Sequence, residues 1–121
     1  MRRTWTVGGC EAPPPQRSKQ DKLVLGSLNC GGGLHGRNQV SKEKIDKLLL
    51  MLETEKGMPA ALALQHTGIQ SLADAKRLTR RFGVCAVGVF ALNPGKQNTY
   101  STAVIFAGGA EDVVTVEAEL Q

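Results

Sequence analysis

No stretch of this 121-residue chain approaches the ~20 consecutive apolar residues that a membrane-spanning helix needs. A membrane partner is therefore not expected, and the chain should be soluble. Residues 1–9 open with Arg2 and Arg3 but contain nothing like the apolar core of a signal peptide. Glu11, Asp21 and the run Pro13–Pro15 argue in the same way against an organelle presequence. Cysteine is scarce. Cys10, Cys30 and Cys85 are widely spaced and form no CxxC pair, so they read as reduced thiols of an intracellular protein, nuclear or cytoplasmic. Cys30, His35, His66 and Cys85 lack the short paired spacings of a structural zinc site. Charge of one sign is also weak, at +4, although five of the 15 Lys and Arg stand in the first 22 residues. That concentration suits either a polyanion-binding arm or a solvated tail.

What is present divides at about residue 22. Residues 1–22 carry few large apolar side chains, three prolines and mixed charges, the composition of a flexible leader. Residues 23–121 read as one small folded domain. Leu23–Leu28 is a short β-forming run that ends at Asn29, and the glycines after it mark a loop. Ser41 is the expected N-cap of a helix whose stripe is Ile45, Leu48, Leu49 and Leu52. Gly57 and Pro59 stop that helix. Ala60–Gln65 is apolar at successive positions, as in a strand covered on both faces. A second helix starts at the capping pattern Ser71-x-x-Asp74, buries Leu72, Ala75, Leu78 and Phe82, and ends at Gly83. Val84–Ala91, a turn at Asn93-Pro94-Gly95, Tyr100–Phe106 and an alternating stretch over 113–120 complete the order β-α-β-α-β-β-β, an α+β chain. The two helices can shield one face of the sheet. The apolar runs call for cover on the other face as well.

Chemistry is expected at one edge of that sheet. Asn29 ends the first of these strands, and Gln65-His66-Thr67 follows the second. If both strands run parallel through the intervening helix, their ends meet, and polar groups above an apolar sheet stand where ligands commonly bind. On spacing alone, turn-forming and surface roles are the more common explanation of the same residues. Gly31-Gly32-Gly33 with Gly36 lacks both the G-K-[ST] ending of a P-loop and G-x-G-x-x-G spacing, so a flexible connection is expected. Lys76, Arg77, Arg80 and Arg81 form a basic band on the second helix, suited to nucleic-acid phosphates or to plain solvation.

Leu28-Asn29-Cys30-Gly31-Gly32-Gly33-Leu34, then a helix, then Ala61-Leu62-Ala63-Leu64-Gln65-His66-Thr67 resembles the opening of the endonuclease/exonuclease/phosphatase family. It is especially similar to the endonuclease domains of non-LTR retrotransposons. In that family an LN-x-x-G-L strand end leads through a helix to ALQET, and a later GGxAI strand is similar to Ser101–Phe106. The likeness runs from Leu23 to the C-terminus. It implies half of a four-layer α/β/β/α sandwich and an ancestral Mg2+-dependent hydrolysis of DNA phosphodiesters. It also implies that Asn29 is a metal-site residue and that Gln65 lies beside the metal ligand, toward substrate.

Two departures stand out. His66 occupies the position of the family's acidic metal ligand, and Mg2+, a hard cation, favours carboxylate oxygen over a neutral imidazole. The family's Asp-x-Asn and Asp-His pairs have no counterpart in these 121 residues. The expectation is therefore a truncated relative that is inactive alone, retrotransposon-derived, with doubtful Mg2+ affinity. Its expected partners are DNA, a missing second half or another copy of itself. The alternative is a non-catalytic α/β module that binds nucleic acid or a protein through its leader and second helix.

Overall fold

The computed structural model describes residues 4–9, 25–55, 59–92, 100–109 and 113. Along them run β1 (Thr4–Gly8), β2 (Leu25–Asn29), α1 (Gln39–Glu55), β3 (Ala61–Ile69), α2 (Leu72–Phe82), β4 (Val87–Leu92) and β5 (Tyr100–Phe106). The strands form one mixed sheet in the order β1-β4-β5-β3-β2. β2 and β3 are parallel, as a strand–helix–strand crossover requires. The other neighbouring pairs are antiparallel. The fold is α+β.

β1 departs from the expected leader. Thr4-Trp5-Thr6-Val7 is rich in the β-branched and aromatic residues that suit a pleated surface. It pairs with β4, placing Val7 opposite Gly88 and burying it. The described order therefore starts β-β-α rather than β-α. The rest of the expected leader, the turn at 93–95 and the alternating stretch 113–120 apart from Val113 lie outside the described residues. Cys85 is joined in a disulfide, which corrects the expectation of three reduced thiols, whereas Cys30 is a free buried thiol.

The caps show why the helices begin where they do. α1 starts two residues before Ser41, because Asn38 Oδ1 accepts from the Ser41 N–H at 2.8 Å and so acts as the cap. In α2 the expected cap holds, with Ser71 Oγ accepting from the Asp74 N–H at 3.1 Å. At its far end the Gly83 N–H donates to Arg80 O. Ala75, Leu78 and Phe82 are buried, while Leu72 is exposed at the edge of the face expected for it.

Both helices contribute to one core. Ile45 and Leu48 from α1 and Ala75, Leu78 and Phe82 from α2 cluster with Val7, Leu62, Leu64, Phe90, Ala103 and Ile105. Leu49 and Leu52 pack at its border. Burying each large aliphatic side chain contributes roughly 1.5–3 kcal/mol, so this cluster is the main source of stability. In the strands these core residues alternate with Ala63, Val87, Val89, Val104 and Phe106, which point to the opposite face and are only half-buried. Thr4, Thr6, Ser27 and Thr102 stand exposed around them.

Candidate functional site

The parallel pairing of β2 with β3 puts Asn29 directly opposite Gln65, one step beyond the buried Leu64. The loop after β2 then continues along β3 instead of leaving it. The Cys30 N–H donates to Gln65 O at 2.8 Å, the Gly32 N–H to His66 O, and the Leu34 N–H to Thr67 O at 3.0 Å. Gly31, Gly32 and Gly33 all adopt positive φ. This glycine stretch, expected as a flexible connection, is a backbone-bonded extension of the sheet edge.

β3 does not end at Gln65. His66 takes φ 54°, the only positive φ at a non-glycine residue among those described, and the pairing with β5 shifts register between Gln65 and Ile69. An inserted residue of this kind reverses the in/out alternation. Leu62 and Leu64 are buried before it, and Thr67 and Ile69 after it. A left-handed conformation at a residue with a Cβ costs about 1–2 kcal/mol. Such outliers cluster at functional sites. The His66 side chain is exposed, and no hydrogen bond holds it among the described residues.

The two amides are already engaged. Asn29 Oδ1 accepts from the Gly31 N–H at 3.2 Å, and Gln65 Nε2 donates to Ser27 Oγ at 3.1 Å. The donors available to a cation are thus neutral amide oxygens and one imidazole. Among the described residues no group of three His, Cys, Asp or Glu side chains is placed to hold a metal. This donor set does not fit Mg2+, which takes hard, anionic oxygen.

Three side chains that the sequence pattern did not assign to the site shape this edge. Ser41 is buried; its hydroxyl donates to Gly33 O at 2.6 Å and accepts from the Gly36 N–H at 2.7 Å. Lys44 Nζ donates to Gly32 O at 2.6 Å. Asp74 is only 2% exposed and accepts from Arg77 Nη1 at 2.9 Å, with Arg37 Nε 3.4 Å away. Arg77 Nη1 also donates to His35 O at 2.9 Å, so the start of α2 is tied to the glycine loop. A Ser three residues into a helix and an acid three residues after a cap were the available signals, and both read locally as capping groups. Cys30, beneath the loop, has its thiol pushed up by burial, with Lys44 acting in the opposite direction. Gly31–Gly33, His35, Asn38 and Lys44 border an open hollow of about 220 Å3.

Comparison with family models, with curated proteins and with solved structures finds no match to this chain.

Proposed function

We propose that this chain is a non-cleaving relative of the Mg2+-dependent DNA endonucleases of non-LTR retrotransposons. The observation that supports the reading most is the Asn29–Gln65 pair, in register at the ends of two parallel strands with His66 next in line. Asn29 and Gln65 fall where the resemblance implies a metal-site residue and its neighbour. His66 falls where a carboxylate is needed. Phosphodiester hydrolysis requires a positioned base, an in-line nucleophile and stabilisation of the developing charge. Neutral amides and an exposed imidazole provide little of the last. Further parts of the reading are contact with DNA and completion of the sandwich by other chain material against the half-buried sheet face. A plasmid-nicking assay in Mg2+ and in Mn2+ tests the central claim, with Asn29→Ala as the control for contaminating nuclease. The expected result is no nicking above background. Metal-dependent nicking that the substitution abolishes would overturn the proposal.

A further inference from the structure

The basic band of α2 is not one feature. Arg77 is held by Asp74 and His35 O, and Arg81 pairs with Asp46. Lys76 and Arg80, one helical turn apart, have no side-chain partner among the described residues. Side chains spaced i,i+4 project together from a helix, about 5–6 Å apart at Cβ. Both border a cleft of about 280 Å3 whose other walls are Gly8, Gly9, Thr79, Gly83, Val84 and Ala86. Among the described residues, none that lines it is acidic.

The cleft sits far from the candidate site. Gly8 pairs with Val87, and Val87 with Phe106, whereas Gln65 pairs with Thr102. Four residues of β5 separate the two rows, about 13 Å at the rise of a strand. Glycine is required at its floor. Gly8 has φ +81°, and a Cβ there would collide with Ala86 O and meet Thr79 Cγ2 at 3.0 Å. The carbonyl end of α2 contributes roughly half a negative charge nearby. Two full positive charges outweigh it.

We propose that this cleft binds a compact phosphate dianion between Lys76 and Arg80. Two adjacent cations that no carboxylate among the described residues neutralises repel each other, and a dianion relieves that repulsion at both heads at once. The assignment is independent of the endonuclease reading, because it uses no residue of the Asn29–Gln65 edge.

The test is an amide NMR titration of the whole chain with inorganic phosphate at constant ionic strength, using chloride as the reference anion. Saturable shifts are expected at Gly8, Gly9, Gly83 and Val84. In Lys76→Ala/Arg80→Ala the apparent affinity should fall roughly tenfold or more, from the loss of two charge contacts. The exposed pair Lys42→Gln/Lys47→Gln removes the same charge from α1 and should leave affinity unchanged. The proposal is overturned by shifts that chloride reproduces, or by equal weakening in the α1 variant. It is also overturned if a single-stranded oligonucleotide moves these amides while phosphate does not, since the cleft would then sense a polyanion's field rather than hold a phosphate.

Discussion

Gly68 lies against the backbone of Gly33 so closely that a Cβ on Gly68 would sit 2.6 Å from the Gly33 nitrogen. Its φ of +74° is also one that side chains resist. Both obstacles act in the same direction, because a rotation that relieved the clash would pull β3 away from the loop. Gly68→Ala should therefore cost about 2 kcal/mol or more. Urea unfolding measures it, and a loss below about 0.5 kcal/mol would show that the loop does not ride on β3 as described.

Restoring a carboxylate tests the convergence of the candidate site. His66→Glu should tighten Mg2+ binding, measured by calorimetric titration, without producing turnover. Unchanged affinity would mean that residue 66 and Asn29 do not face a common point.

Cys30 gives a pH dependence with a definite sign. Its thiol titrates above the ordinary value of 9.0 because burial disfavours the thiolate. The folded state then holds its proton where the unfolded state has released it. The contribution to stability is complete below 9.0 and is lost as pH rises through the higher, folded value. Between 9.0 and that higher value, stability of the parent should fall more steeply with pH than stability of Cys30→Ala. Parallel pH profiles for the two proteins would refute the assignment.

The sheet face opposite the helices yields a prediction about association. Val87, Val89, Val104 and Phe106 are half-buried there without contributing to the core. Leaving ~400 Å2 of apolar surface wet forgoes about 10 kcal/mol, the scale of a whole domain's stability. The chain should sediment above its 12.9 kDa monomer mass at micromolar concentration, or bind a dye that reports exposed apolar surface. A dye-negative monomer with a sharp thermal transition would contradict this.

The parts of this fold that were legible in the sequence are those governed by local periodicity. Ile45, Leu48, Leu49 and Leu52 mark α1, Ser71 and Gly83 bracket α2, and the run ending at Asn29 marks β2. The pairing of Asn29 with Gln65 followed from the parallel crossover. What escaped depends on distant partners. β1 is a strand because β4 pairs with it, and five residues beside basic and proline-rich sequence carry no strong signal of their own. β3 outruns its apolar stretch because the bulge at His66 shifts the alternation and the glycine loop supplies hydrogen-bond partners. Asp74 looked like a capping acid, but its charge is balanced by Arg77 on the same helix and by Arg37, which lies on a different segment.

The buried hydroxyl of Ser41 has a dynamic consequence. It belongs to the first turn of α1, yet both of its hydrogen bonds go to the glycine loop, at Gly33 and Gly36. The loop cannot lift from the sheet edge without breaking them, and the helix cannot fray at its start without leaving those loop groups unsatisfied. Opening of the candidate site and melting of the first turn of α1 are thus a single cooperative event, so amides on both segments should exchange with solvent at a common rate.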